Sequence, residues 1–523
     1  MNPSGEAETA RRIDGSLIAV VGLWLVLLAI YCVQLAGLAA DDMYITYRYA
    51  QNLALGRGLT FNPDERVFGI SDPGVALLLA AGSRLTGAPI PVVGTLLTAA
   101  ALLLLAGAVL WESRKRERFW EAAAGGTLVV SSSFLWLGQG AGPLVALAGL
   151  ALAALLAGRR PAAGGVVAGL AFWCRPDALI GCGLLAGLLY LQKRKPPFAF
   201  MAGALAAGLL GVAAARLWFG RFIPSTLAAK QSFAGRSLEE FTGLAGFWGR
   251  AREAFLFTEG GWKGWGQAVV PLGILGLFLL WRHGGLAGRL VTLYGAALAL
   301  GYTALRIPFS FWYVGPPAAV IFLGAGFAVG GAARGMARIW KGSPGRVAAA
   351  ALVLLAAVAV GGPLAEARIA WLAHGYEGDW RRAAYRVAGE WLARHAPPDG
   401  DVAYGEIGLL GYYSDRPVRD LIGLVTPSSI PYTAAGDQAG AFLVKPARYV
   451  LQHTADPRGG TRPIVSRPWF ARAYRERVRL RLVRYDISVI LWERIPGSTV
   501  PPPRPPIDRR AAEHGQGTPQ GLR

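Results

Sequence analysis

Long apolar runs separated by short basic loops fill the first two thirds of the chain. Alternating apolar and polar residues take over in the last third. Segments such as "GSLIAVVGLWLVLLAIYCVQLAGLAA" (15–40) and "VGTLLTAAALLLLAGAVLW" (93–111) are long enough to cross about 30 Å of hydrocarbon as helices. The first outlasts a signal-peptide core and lacks a cleavage site, so it reads as a retained anchor. The pattern predicts eleven spans, near 17–38, 90–111, 119–138, 143–158, two within 162–192, then 198–219, 267–281, 287–305, 311–331 and 347–363. The 162–192 stretch begins and ends at basic clusters on the same side and must cross twice; proline disfavours helix at the residue before it, so Pro176 fits a break at the turn. Residues 74–87 are too short to cross. "GVVAG" at 165–169 has the spacing of close helix packing.

After Pro363 the period changes. Trp380, Tyr385, Ala388, Trp391 and Leu392 recur at helical spacing and predict an amphipathic helix over 379–396. "DVAYGEIGLL", "ARYVLQH" and "RLRLVRYDISVILWER" read as strands. The predicted fold is a mainly α membrane protein, a polytopic bundle of about eleven transmembrane helices with a small extracytoplasmic α/β C-terminal domain. Its parts are a transmembrane domain over 1–363, carrying external loops at 41–87 and 220–266, an α/β domain over 364–496 and a disordered Pro-rich tail over 497–523.

Charge orients this bundle. Only 16% of residues are charged, against about a quarter in soluble domains. The net charge of +21 would raise nucleic acid as a partner of a soluble protein. Here the cations flank spans, where the positive-inside rule accounts for them, and no nucleic-acid partner is expected. The N-terminus then lies in the cytoplasm and the C-terminal domain outside, in a bacterial cytoplasmic membrane. Cys32, Cys174 and Cys182 fall in apolar segments, and the five His are scattered, so no zinc-type spacing exists. Neither a Walker loop nor a dinucleotide fingerprint is present. Two vicinal acids can recruit a divalent cation, but without a wider cluster they do not indicate one. No cofactor is predicted.

This topology gathers the polar features on the outer face: Asp41, Asp42 and Arg48, then "GLTFNPDERVFGISDP" (58–73), Arg175 and Asp177, "WFGRFIPSTLAAKQS" (218–232) with Lys230, "RIPFSFWYVGPP" (306–317) and "GEIGLLGYYSDRPVRDLIGLVTP" (405–427). Each alone has a plainer reading: a helix end, a turn salt bridge, a snorkelling lysine, an aromatic belt. Together they place carboxylates, cations and aromatics where a lipid head group lies. Such a set suits transfer from a lipid phosphate. A carboxylate takes the proton of an attacking hydroxyl, and Arg or Lys stabilises charge on the departing phosphate.

The motifs "DDMYITYRYAQNLALGRGLTFNPDERVFGISDP", "RPDAL", "WFGRFIPSTLAAK", "FWYVGPP" and "EIGLLGYYSDRPVRDLIGLVTP" carry a resemblance. In order and spacing, to about residue 455, the chain resembles integral-membrane glycosyltransferases of the GT-C superfamily, which use polyprenyl-phosphate sugars. It is most similar to the bacterial group containing the mycobacterial terminal arabinofuranosyltransferase of arabinogalactan. The resemblance implies a catalytic base at Asp41 or Asp42, a lipid-linked donor, and inversion at the anomeric carbon. Asp41 is the leading choice, with Asp42 holding the acceptor or the local fold. Arg175, Lys230 and Arg48 become candidates for the donor phosphate, on charge and position. Asp177, Tyr44, Trp312, Tyr313, Glu406 and Tyr412 become candidates for lining the substrate. Membrane lipid, the lipid-linked donor and a glycan or glycolipid acceptor are the expected partners. One departure stands out: the family's Gly-x-Glu-Thr-type segment corresponds to "LGQGAGPLVAL" (137–147), with Ala141 and Gly142 in place of the acid and Thr. Sugar and acceptor stay open. The competing readings are a transporter or flippase of lipid-linked glycans and a non-catalytic envelope-assembly protein. Transporters place charges and broken helices near the bilayer midplane, whereas these charges fall at outer ends.

Overall fold

Helices run through the apolar stretches in order. The computed structural model describes residues 15–229, 232, 243–259, 265–339, 344–359, 379–455 and 460–506. Among them, four helices are long and apolar enough to cross a membrane: Gly15–Leu35, Ile90–Arg114, Phe198–Phe219 and Phe311–Ile339. Shorter helices, among them Phe119–Val130, Gly142–Ala157, Pro161–Cys174, Ala178–Lys193, Gly285–Ala304 and Pro344–Ala359, complete the bundle. The chain is a membrane protein of mainly helical fold with a small sheet domain at its C-terminal end. The "GVVAG" spacing is used as expected. A Cβ on Gly165 would lie 2.0 Å from the Phe200 carbonyl oxygen, so only glycine lets Pro161–Cys174 and Phe198–Phe219 pack this closely. On the latter helix Leu205, Leu209 and Leu217 stay exposed, as a lipid-facing surface requires.

Two elements differ from the pattern-based expectation. The stretch 119–138 is not one helix but two, Phe119–Val130 and Ser133–Leu137. Ser131 Oγ bonds back to the Thr127 carbonyl at 2.6 Å, and Ser132 Oγ accepts from the Leu135 amide at 3.3 Å; serines offer the backbone this alternative to helix. "DVAYGEIGLL" is a strand only over Val402–Tyr404 and enters a helix at Gly408–Ser414.

The predicted amphipathic helix is present as Asp379–His395, burying Tyr385, Ala388 and Leu392. It belongs to a domain built on a five-stranded sheet: β1 Val402–Tyr404, β2 Val418–Asp420, β3 Tyr449–His453, β4 Tyr474–Leu482 and β5 Ile487–Arg494, in the order β2-β1-β3-β5-β4. β1 pairs parallel with β2 and β3; β5 pairs antiparallel with β3 and β4. The edge strand β4 exposes Arg475, Glu476 and Arg477, charges that discourage further pairing. The sheet domain shares one hydrophobic core with the bundle, continuous from Val20 to Leu491.

Charge divides the bundle's two ends. Glu121, buried near one end, is neutralised by Arg118 at 3.0 Å and Arg334 at 2.9 Å. The sheet domain docks at the other end, through the helices Gly408–Ser414 and Asp41–Ala54.

Candidate active site

The first helix stops at Leu35, Gly37 takes a left-handed φ of 68°, and a new helix starts at Asp41. This second helix, Asp41–Ala54, organises the site because nearly every polar side chain on it is bonded elsewhere. Asn52 Nδ2 donates to the Thr60 and Phe61 carbonyls at 2.9 and 2.8 Å, and Tyr49 Oη donates to the Val67 carbonyl at 2.7 Å. Thr46 donates to Asp72 at 2.9 Å. Residues 57–72 are thus wrapped around the helix. Arg48 is fully buried; it donates to the Phe61 carbonyl, Gln51 and, at 2.5 Å, Asp415. Asp415, which Arg57 also meets at 2.6 Å, thus ties this buried guanidinium to the sheet domain.

Asp41 is buried under the sheet domain. One carboxylate oxygen accepts from the Leu409 amide at 2.7 Å, the other from the Gly408 amide at 3.1 Å. A Cβ on Gly408 would fall 1.9 Å from the Asp41 carbonyl oxygen, so glycine is what permits this approach. Burial, with Glu406 and Asp42 adding repulsion, pushes the Asp41 pKa up to about 8, against the opposing pull of the two amides. Asp42 is half-buried beside it. Around the pair, Tyr44 packs edge-on against Tyr412 at 5.3 Å and meets the Tyr413 hydroxyl at 3.5 Å. Glu406 faces Arg381 at 3.0 Å, and Arg382 donates to the Ala39 and Gly37 carbonyls. Asp42, Tyr44, Glu406 and Tyr412 therefore gather around Asp41.

A second cluster forms at the break made by Pro176. Arg175 is extended, and its guanidinium contacts Asp177 at 2.8 Å, donates to Ser71 Oγ at 3.1 Å and lies 5.3 Å from the Tyr313 ring centroid. Asp177 also accepts from Tyr302 at 2.7 Å and Tyr294 at 3.1 Å. Burial works against ionisation of Asp177, but Arg175 and the two hydroxyls outweigh it and hold the carboxyl below its ordinary range. Trp312 lies beside Tyr313, ring centroids 5.9 Å apart. Lys230 lies outside the described residues.

The neighbours Ser71 and Asp72 connect the clusters: Asp72 takes Thr46 of the acid-bearing helix, and Ser71 takes Arg175. The stretch "LGQGAGP" forms a second connection. Tyr47 Oη donates to the Gln139 carbonyl at 2.8 Å, while the Gln139 side chain donates to the Leu35 carbonyl and accepts from Thr95. A Cβ on Gly142 would lie 2.8 Å from Cδ of Arg175 and 2.3 Å from the Cys174 carbonyl oxygen. A side chain is therefore excluded at Gly142, where the Arg175 stem and the Cys174 carbonyl occupy the space it would need.

Comparisons with known proteins bear on this arrangement. ArnT from Cupriavidus metallidurans bound to undecaprenyl phosphate superposes with a TM-score of 0.59 at 13% identity, covering 94% of this chain and 100% of that one. The fold is shared with ArnT. In its apo state the same protein gives a TM-score of 0.57 at 14% identity, over 91% of this chain and 98% of that one. A family model described as a domain of unknown function (DUF8728) matches residues 373–490, the sheet domain. No curated protein matches the chain in sequence.

Several connecting residues escaped the sequence reading. Ser71, Asp72 and Gln139 lay inside quoted motifs without a role. Tyr294 and Tyr302 sit eight positions apart in an apolar helix, a spacing that places both on one face and was the available signal. The Tyr413 and Arg382 contacts depend on the sheet domain docking and had no local signal.

Proposed function

We propose that the protein is an inverting membrane glycosyltransferase that moves a sugar from a polyprenyl-phosphate donor to an extracytoplasmic glycan or lipid. The observation that carries this reading is the joined pair of clusters, a buried proton-holding acid at Asp41 and a cation at Arg175, on the fold shared with ArnT. In the reaction, the acceptor hydroxyl gives its proton to the Asp41 carboxylate as its oxygen attacks the anomeric carbon. The bond from that carbon to the phosphate oxygen breaks, and the phosphate leaves with the electron pair. Arg175, with Lys230, stabilises that charge. The step needs no redox cofactor and no nucleotide.

Two amide contacts do not exhaust a carboxylate, which offers about four acceptor sites. They orient Asp41 and leave lone pairs for the proton. Its burial makes it a stronger base once ionised. Asp42 holds the acceptor, and Tyr44, Tyr412, Glu406, Trp312 and Tyr313 line the path between acceptor and donor. Arg48 acts from behind, locking the helix to the sheet domain. In this reading Asp41, Arg175 and the sheet domain face outward from a bacterial cytoplasmic membrane, and the basic loop ends face the cytoplasm. Resemblance to the arabinofuranosyltransferase group makes an arabinofuranosyl lipid the first donor to try.

Asp41→Asn and Asp42→Asn test the assignment in nanodiscs. Asp41→Asn is expected to lower kcat by about 10²–10⁴-fold, with Asp42→Asn acting mainly on acceptor KM. The reverse pattern moves the base to Asp42; full activity in both variants rejects the acid pair.

A further inference from the structure

The helices Ile90–Arg114, Gly142–Ala157, Ala178–Lys193 and Gly285–Ala304 reach the candidate site with one end. Thr95 bonds Gln139, Gly142 abuts Arg175, Asp177 leads into Ala178, and Tyr302 bonds Asp177. Their other ends converge again, roughly 24 Å away by the rise of the 16-residue helix Gly142–Ala157. There they enclose a cavity of about 640 Å³. Lys115, Arg116, Arg159, Arg160 and Arg289 line it, together with the apolar side chains Leu152, Leu155, Leu188 and Leu286. Among the described residues that line it, Glu112 is the one carboxylate. It is already met by Lys115 at 2.6 Å and Arg116 at 3.6 Å. Arg289 donates to the Trp281 carbonyl at 3.3 Å. Among the described residues, Arg159, Arg160 and Arg289 have no carboxylate partner.

The positive-inside rule asks for cations near span ends; it does not ask for a concavity with leucines in its wall. Cations joined to an apolar wall, at the level where spans leave the bilayer, match an anionic amphiphile. The sugar-transfer site lies at the opposite end and makes no use of them. We propose that this cavity binds an anionic phospholipid, its phosphate against Arg159, Arg160 and Arg289 and its acyl chain along Leu152, Leu155 and Leu188. Juxtamembrane cations of this kind attract anionic lipid.

The test uses the full-length protein in detergent with an equimolar mixture of phosphatidylglycerol and phosphatidylcholine, read by native mass spectrometry. Phosphatidylglycerol adducts are expected to exceed phosphatidylcholine adducts several-fold. Arg159→Gln/Arg160→Gln, at exposed positions, is expected to abolish that preference. Arg289→Gln, scored separately, lowers it in part, and Lys195→Gln, outside the cavity, leaves it intact. Equal adducts in the unaltered protein, or an unchanged preference in both arginine variants, overturn the proposal. Full displacement of the lipid by millimolar inorganic phosphate also overturns it, by marking a site for the free anion.

Discussion

At the scale of single residues, Asp41 carries the largest physical conflict. A carboxylate buried beside two other acids resists ionisation, yet two backbone amides are aimed at it. Its pKa of about 8 lies above the ordinary value of about 3.9. Between those values the folded chain binds more protons than the unfolded chain. Asp41 therefore makes stability fall as pH rises from about 4 to about 8. As a base it must be ionised, so kcat/KM is expected to rise with pH through a limb centred near 8. A profile flat from pH 6 to 9 would remove Asp41 from the role. Asp41→Asn carries a structural cost as well, because an amide group opposes one of the two N–H donors. A loss of about 1–3 kcal/mol is expected, visible as a lower Tm, so activity must be compared at matched folded fraction. Asp177→Asn leaves Arg175 buried without its partner. It is expected to lose about 3 kcal/mol or more of stability along with donor binding, measured by Tm and donor KM.

At the scale of elements, docking of Gly408–Ser414 onto Asp41–Ala54 makes the acid site a property of two domains. Gly408→Ala inserts a methyl into the Asp41 carbonyl, and the helices must separate. A cost of about 1–3 kcal/mol is expected, with faster proteolysis between residues 379 and 420 and reduced transfer. Unchanged proteolysis and activity would show that the contact is not needed. This scale also marks what the sequence could reveal. Long apolar runs located the helices because hydrocarbon length and periodicity are local properties. The break at Pro176 was legible because proline acts on its own neighbour. The Gly408–Asp41 contact, the burial of Arg48 against Asp415 and the Ser71–Arg175 bond join residues separated by about a hundred positions or more. Residue pattern has no term for such contacts. The helix break at Ser131–Ser132 was missed because apolar content outweighed two hydroxyls.

At the scale of the whole molecule, four helices connect two dissimilar ends. One end carries the acids, Arg175 and the sheet domain; the other carries the basic cavity. The architecture is shared with ArnT, and the proposed reaction rests on the joined clusters. The proposed reaction is transfer from a lipid-linked sugar. Its most direct test is to supply the purified full-length protein in nanodiscs with a panel of polyprenyl-phosphate sugars, an arabinofuranosyl donor first, together with envelope glycan acceptors. Product mass and anomeric configuration are then read. One donor is expected to give a product heavier by one sugar, with inverted configuration, and to give none with Asp41→Asn. Retention of configuration, or no transfer from any lipid-linked donor while a nucleotide sugar is consumed, would exclude the proposed reaction.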